Sequence, residues 1–420
     1  MLMKLNRILI LLFLEFCFTH SIDQMYAQQQ IFFADVSIYT ENGKYYLSGT
    51  RAGDPLGFKL LESENLTDWH FPTNIPTGLI LGVSQNVYGT TKFFAPQILK
   101  DNNMYYLTYS ADEHIAIAKS SVLTGPYTQT VVEEIDPARK SIDSDVFKDD
   151  DGKYYMYHVR FSNLGNRIWV DEFDITQGKM SGNPIQCLTT DEGTWETDNS
   201  NWDKPIIYFG SVMEGPSVIK YKGIYYMFYS ANSYKFKDYA VGYATASSPL
   251  GPWTKYANNP IISRHSVKDN GTGHGDFFIA NDGKPYYVYH VHFSETVALP
   301  RRTRIVPLHF ELNSFTGIYN ISVDSNEVII PKITSQINAL KNTNVSSNIQ
   351  LYPNPATTII TVVKSNAETN LESIYNIIGC QVLKLDNEKN QIDISGLRTG
   401  VYFLKTNNRG KIENTIFVKN

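Results

Sequence analysis

Asp35, Asp143 and Glu214 read as one position of an internal repeat, a position they share with Ala95 and His274. Each of the five is followed, ten to twelve residues later, by a Tyr-Tyr pair, the pairs beginning at Tyr45, Tyr105, Tyr154, Tyr225 and Tyr286. Carboxyl groups brought together in this way can divide acid–base work. One protonates a leaving oxygen, one activates water, and the negative charge of a third keeps the acid protonated near neutral pH. Inverting cleavage of a glycosidic bond needs this division, with roughly 6.5–9.5 Å between acid and base so that a water fits behind the sugar. Taken singly, the residues are ordinary: an aspartate before a strand is usually a solvated turn residue, and a lone histidine a hydrogen-bonded structural one. Asp143 also has rivals in Asp145 and in the run Asp149 to Asp151, which reads as a hairpin turn. The shared register is what sets the five leads apart.

Elements that could gather such residues are short strands. Successive leads are 60, 48, 71 and 60 residues apart, a period suited to a small antiparallel sheet per repeat. Asn42-Gly43, Asp101-Asn102-Asn103, Asp151-Gly152, Lys222-Gly223 and Asp282-Gly283 stand just before the Tyr-Tyr pairs as hairpin turns, and a third strand follows each pair. The economical architecture is all-β: a five-bladed β-propeller followed by a small C-terminal β-sandwich. The leads would then begin the innermost strands and border an axial cavity. Phe93 and Phe94, beside the second lead, are expected as pocket wall and substrate contact, with Trp195, His290 and His292 as weaker candidates.

The chain has 420 residues, 42% hydrophobic and 19% charged, so it can bury a large core and exceeds one small domain. A net charge of −5 without any Lys/Arg run argues against nucleic acid as partner. Lys4 and Arg7 precede an apolar run from Ile8 to Phe18, and Met25-Tyr26-Ala27 offers a cleavage site, so residues 1–27 read as a signal peptide and export is expected. Of the three cysteines, Cys17 leaves with that peptide; Cys187 and Cys380 fall in different domains, and no metal-binding spacing joins them. The propeller is expected over 28–331, an Asn/Ser/Thr/Lys-rich linker over 332–350, and the sandwich over 351–420.

Two family resemblances follow from motifs. Phe33-Ala-Asp-Val-Ser-Ile38, Phe93-Phe-Ala-Pro-Gln97, Ile142-Asp-Ser-Asp-Val-Phe147, Glu214-Gly-Pro-Ser217 and Gly271-Thr-Gly-His-Gly275 together resemble glycoside hydrolase family 43, over residues 30–315. The resemblance implies Asp35 as general base, Glu214 as general acid and Asp143 as the carboxylate that tunes the acid. It also implies that Arg301 reaches the sugar pocket, with Arg302 as rival, and that His274 lies on the axis beside a structural calcium ion. Val36 and Ser144-Asp145 replace prolines usual in the family's motifs, which leaves the backbone beside two of the acids less stiff. No organic cofactor is implied. The substrate class implied is arabinan, xylan or arabinoxylan, with α-L-arabinofuranosidase or β-xylosidase activity foremost and endo-arabinanase or galactan-directed activity behind. A carbohydrate-binding propeller without catalysis is the reading from another class. The second resemblance lies in Leu351-Tyr-Pro-Asn-Pro-Ala356, Ile374-Tyr-Asn-Ile-Ile-Gly379 and Ile394-Ser-Gly-Leu-Arg-Thr-Gly-Val-Tyr-Phe403, which are similar to the C-terminal sorting domain of type IX secretion cargo. It implies secretion or display on the outer cell surface, with the type IX machinery as partner and no membrane span in the mature chain.

Overall fold

The computed structural model describes residues 29–51, 56–75, 78–83, 85–162, 165–180, 183–197, 211–334, 349–364, 368–376, 380–386, 389–398, 400–409 and 411–419. The expected signal peptide and most of the linker lie outside them. The chain divides into two compact units at residue 334. The first unit reaches slightly past the expected boundary because Lys332–Ile333 pairs with Gln29–Gln30 and runs parallel to Asp68–Trp69.

Five antiparallel sheets in chain order form the blades of the first unit, with three smaller sheets beside them. The inner, middle and outer strands of blade 1 are Phe33–Glu41, Lys44–Arg51 and Leu61–Ser63. Blade 2 has Phe94–Asp101, Met104–Ala111 and His114–Ser120. Blade 3 has Ser141–Lys148, Tyr154–Arg160 and Arg167–Asp174. Blade 4 has Met213–Tyr221, Ile224–Ala231 and Ala240–Ala246. Blade 5 has Gly273–Ile279, Pro285–Val291 and Arg302–Pro307. Blade 5 returns to blade 1: Thr40 Oγ1 donates to Ile279 O (3.3 Å), and Thr303 N donates to Ile31 O (2.9 Å). The architecture is a β-propeller.

The Tyr-Tyr pairs divide two structural tasks between neighbours, since successive strand residues face opposite sides of a sheet. The second tyrosine packs into a blade core, fully buried at Tyr226 and Tyr287. The first ties adjacent blades together. Tyr105 Oη donates to Glu41 (2.8 Å), Tyr154 Oη to Asp101 (2.5 Å) and Tyr225 Oη to Asp149 (2.6 Å), each acid belonging to the preceding blade. A lysine completes each clasp by pairing with the same acid: Lys100 with Glu41, Lys148 with Asp101 and Lys220 with Asp149. Tyr45 closes the ring by accepting from Asn281 N at 2.9 Å.

At the opposite end, every inner strand carries a β-bulge at the same register. The pairing slips between Ala34 and Ser37, Phe94 and Gln97, Ile142 and Asp145, Glu214 and Ser217, and Gly273 and Asp276. The first bulge residue is left-handed in all five: Asp35 (φ 48°), Ala95 (46°), Asp143 (57°), Gly215 (58°) and His274 (37°). This corrects the sequence register in blade 4. The equivalent of Asp35 and Asp143 is Gly215, and Glu214 stands one residue earlier, where the other blades have Ala34, Phe94, Ile142 and Gly273. A left-handed conformation costs a non-glycine residue about 1 kcal/mol or more, and side chains of the preceding blade hold three of these amides in place. Ala95 N donates to Thr50 Oγ1 (3.0 Å), Asp143 N to Ser110 Oγ (2.9 Å) and His274 N to Ser230 Oγ (2.8 Å). In blade 3 the corresponding residue is Val159, which has no acceptor to offer, and Gly215 N turns to Asp143 Oδ2 at 3.4 Å instead.

The second unit has a three-stranded sheet of Ile349–Tyr352, Ile359–Lys364 and Gln391–Asp393. It also has a four-stranded sheet of Gln381–Lys384, Thr369–Asn376, Gly400–Asn408 and Lys411–Lys419. Ile360, Ile374, Leu404 and Phe417 are fully buried in its core. Among the described residues, no helix is long and apolar enough to cross a membrane.

Candidate active site

Three bulges and one offset residue bring Asp35, Asp143, Glu214 and His274 together at the axis. Arg301 Nη1 lies 2.8 Å from Asp35 Oδ1 and Nη2 lies 3.2 Å from Oδ2, a two-pronged ion pair. Arg302, its rival in the sequence, turns to His292 O and Asp269. His290 presents Nδ1 to Asp35 (3.4 Å from Oδ1) and Nε2 to Arg301 Nη1 (3.2 Å). The backbone N–H of Asp35 also donates to Nδ1, at 3.3 Å, so this histidine braces both the amide of Asp35 and the arginine beside its carboxylate. Burial by itself would raise the pKa of Asp35, but Arg301 and the neighbouring histidines outweigh it and hold the carboxyl well below the usual range. Asp35 is a charged group.

Glu214 and Asp143 are pushed the other way. Burial, then the negative charge of Asp35, raises Glu214 to about 7, against the opposing hydrogen bond from Tyr239 Oη at 2.9 Å. Asp143 is raised by burial and by the charges of Glu214 and Asp35. Two buried carboxyl groups that repel one another titrate as a pair, and this pair retains a proton near neutral pH. The site thus biases one carboxylate towards its charged form and a neighbouring carboxyl pair towards its protonated form. These are the two states that acid–base hydrolysis needs at the same moment.

Tyr239 is a site residue the sequence reading missed. Its ring stacks on His290 with centroids 5.7 Å apart, so the group that contacts Glu214 packs on the group that contacts Asp35. Room for it comes from Gly273, where a Cβ would lie 2.1 Å from the ring. Gly215 is required as well, both by its φ and because a Cβ there would meet His274 at 2.7 Å. No local motif marks Tyr239. The amide-holding residues Thr50, Ser110 and Ser230, by contrast, stand five positions after the first tyrosine of three of the five pairs and could have been found from the repeat.

The expected aromatic wall is half corrected. Phe93 is fully buried, stacked on Tyr109 at 5.8 Å and edge-on to Phe58, so it belongs to the blade core. Phe94 is half-buried at the register position of Glu214. Trp195 stacks on Tyr229 and packs over Gly242 in blade 4.

Below the bulges lies a second polar ring of Ser37, Gln97, Asp145, Ser217 and Asp276. Gln97 Nε2 donates to Asp145 Oδ1 (2.6 Å), and Ser217 Oγ donates to Asp276 Oδ1 (2.7 Å). Burial followed by the charge of Asp276 raises Asp145, and burial raises Asp276 to about 7. An axial cavity of about 30 Å³ is bordered by Asp35, Asp143, Asp145, His274 and Asp276, room for an ion with one or two waters. His274 Nδ1 lies 3.4 Å from Asp35 Oδ1 and 3.8 Å from Asp143 Oδ2, and burial keeps the ring neutral. The oxygen-rich lining suits a hard cation better than zinc. Among the described residues no three His, Cys, Asp or Glu converge closely enough to hold a metal alone, so water would complete any such shell.

Comparison with known proteins agrees with this arrangement. Residues 350–419 match the secretion system C-terminal sorting domain, which indicates type IX secretion to the cell surface or beyond. A β-D-galactofuranosidase of Aspergillus niger is 26% identical over 65% of this chain and 78% of its own length. A xylan 1,3-β-xylosidase of a Vibrio species is 24% identical over 61% of this chain, which spans only 47% of that enzyme. Among solved structures, an endo-1,4-β-xylanase of Bacteroides thetaiotaomicron is 35% identical over 73% of this chain and 99% of its own, with a TM-score of 0.64. A thermostable family 43 glycoside hydrolase is 34% identical over 71% of this chain and 95% of its own, with a TM-score of 0.60. Residues 29–314 match glycosyl hydrolases family 43, and the chain belongs to that family.

Proposed function

We propose that this secreted glycosidase cleaves xylose- or arabinose-containing plant polysaccharides with inversion, using Asp35 as general base, Glu214 as general acid and Asp143 as the neighbour that keeps the acid protonated. The observation that carries the reading is the two-pronged Arg301–Asp35 ion pair beside two buried carboxyls, which pushes the two sides of one site in opposite directions. Asp35 is held charged by Arg301, while Glu214 and Asp143 retain a proton between them.

Water attack proceeds from Asp35, and the leaving oxygen takes its proton from Glu214. Inversion requires a wider acid–base gap than the 5–5.5 Å of a retaining site, and the origin of the two acids in nonadjacent blades 1 and 4 supports it. Arg301, with its guanidinium 4.6 Å from the Tyr234 ring, is proposed to meet a bound sugar from the Asp35 side. Phe94 is proposed as an aromatic contact at the mouth. Calcium is proposed for the axial cavity, held by Asp145, Asp276 and water beside His274, where its charge would offset two crowded carboxyls.

The relatives named for xylosidase and xylanase activity favour a xylan-type substrate. Product analysis on aryl β-D-xyloside, aryl α-L-arabinofuranoside, arabinoxylan and linear arabinan tests this, with release of xylose or arabinose expected from at least one. Asp35→Asn and Glu214→Gln should each abolish turnover and keep sugar binding. A non-catalytic binding propeller would show no turnover in the parent protein.

A further inference from the structure

Blade 3 changes character along one face. Residues 156, 158 and 160 of its middle strand share that face with their pairing partners 171, 169 and 167. At the clasp end, Met156 and Phe173 pack against Tyr106 and Ile115 of blade 2. At the active-site end the face becomes His158, Arg160, Trp169 and Arg167, and it opens into a cavity of about 670 Å³ that Arg139, Lys140 and Phe161 also line. Among the described residues lining this cavity, none carries a carboxylate.

Arg160 is the built part of the site. It is 6% exposed, its Nε donates to His158 Nε2 at 2.9 Å, and its guanidinium lies 5.2 Å from the Trp169 ring. Its Nη1 is buried with no hydrogen-bond partner, a costly state for a charged donor. Counter-charge is thin. Asp136 Oδ2 is 3.8 Å from Nη2, Asp171 acts from further down the face, and Arg139 opposes from the near side. Burial and Arg160 push His158 down to about 3, so it is neutral and adds nothing to compensate. Lys140 shares Glu113 with Lys92. Three arginines and a shared lysine therefore line, beside an indole and a half-exposed phenyl ring, a groove in want of an anion.

The groove opens beside the catalytic residues. Arg160 pairs with Ser141, two residues before Asp143 on the same inner strand. We propose that it binds the carboxylate of a uronic acid unit in the polysaccharide, with Trp169 and Phe161 against the ring and Arg160 and Arg139 on the carboxylate. This assignment rests on the polysaccharide-hydrolase reading and narrows it to acidic glycans.

The test uses the full-length E214Q protein and calorimetric titration with three probes: a glucuronic acid-substituted xylo-oligosaccharide, the same oligosaccharide without the substituent, and an oligogalacturonide. At least one uronate probe is expected to bind on the order of ten-fold tighter than the neutral one, the gain of one charge-assisted contact. Which uronate wins identifies its source, a xylan side chain or an acidic backbone. The advantage should shrink in about 0.5 M salt and in both R160Q and R139Q; the exposed Arg139 keeps the test open if R160Q fails to fold. Equal affinity for acidic and neutral probes, or an advantage untouched by R139Q, overturns the proposal. The two readings fail separately. Hydrolysis of neutral substrates without uronate preference removes only the groove, whereas arginine-dependent uronate binding without any hydrolysis of xylan or arabinan removes only the substrate assignment.

Discussion

Arg301 engages both carboxylate oxygens of Asp35, at 2.8 and 3.2 Å, from 266 residues away in the chain. The pair sets the electrostatic polarity of the site. It keeps Asp35 ionised despite burial, and the negative charge so fixed helps to hold the proton on the Glu214–Asp143 side.

Removing the guanidinium should therefore release the base. In Arg301→Met, burial is left to act on Asp35, its pKa rises, and an acidic limb should enter the pH profile of kcat/KM where the parent has none from this group. A profile that falls in height without moving would limit Arg301 to sugar binding.

The basic limb belongs to Glu214 and Asp143. Activity should decline as pH rises through about 7, where Glu214 gives up its proton. Asp143→Asn removes a like charge, so Glu214 should ionise more easily and the limb should move to lower pH, with kcat reduced about 10²-fold. A limb that moves upward would contradict the role given to Asp143.

Tyr239 holds the acid in place and lowers its pKa by the 2.9 Å hydrogen bond. Tyr239→Phe should move the basic limb upward and slow the reaction about ten-fold. The loss should be larger for substrates with poor leaving groups than for activated aryl glycosides, because only the former depend on a well-aimed proton. A uniform loss across leaving groups would indicate damage to packing alone.

Asp145 and Asp276 predict a pH-dependent stability. Their folded pKa values lie above the unfolded value near 3.9, so the folded chain binds more protons and loses stability as pH rises from about 4 to 7. Asp276→Asn retains an acceptor for Ser217 and should be more stable than the parent by on the order of 1–2 kcal/mol at pH 8 in chelator, the difference vanishing near pH 4. Thermal melts with and without Ca²⁺ check both this and the proposed ion, which should raise the melting temperature of the parent and not of the variant.

The clasps predict a purely structural effect at the far end of the blades. Tyr225→Phe removes a hydrogen bond to the charged Asp149 and should cost about 1–2 kcal/mol without altering kcat/KM.

Much of this was legible in the sequence because a propeller repeats itself. The Tyr-Tyr pairs and their turns placed all five blades, and the shared spacing before those pairs brought out Asp35, Asp143 and His274, which the structure sets on equivalent bulges. Glu214 was singled out by a partly mistaken register. Counting back from the tyrosines cannot distinguish a residue at the bulge from one beside it, and only the left-handed φ of Gly215 settles the register. Phe93 illustrates the same limit: strand alternation sends one of two adjacent phenylalanines into the core, and the sequence does not say which. Arg301's grip on Asp35 and Tyr239's on Glu214 depend on where loops from other blades return to the axis. The resemblance named Arg301 without its partner, and Tyr239 has no local signature.

The central claim is that Asp35 activates water while Glu214 protonates the leaving oxygen across a gap wide enough for both. Proton NMR of the first-formed sugar, recorded before mutarotation, tests it most directly. An anomer inverted relative to the substrate is predicted; a retained anomer would contradict the account.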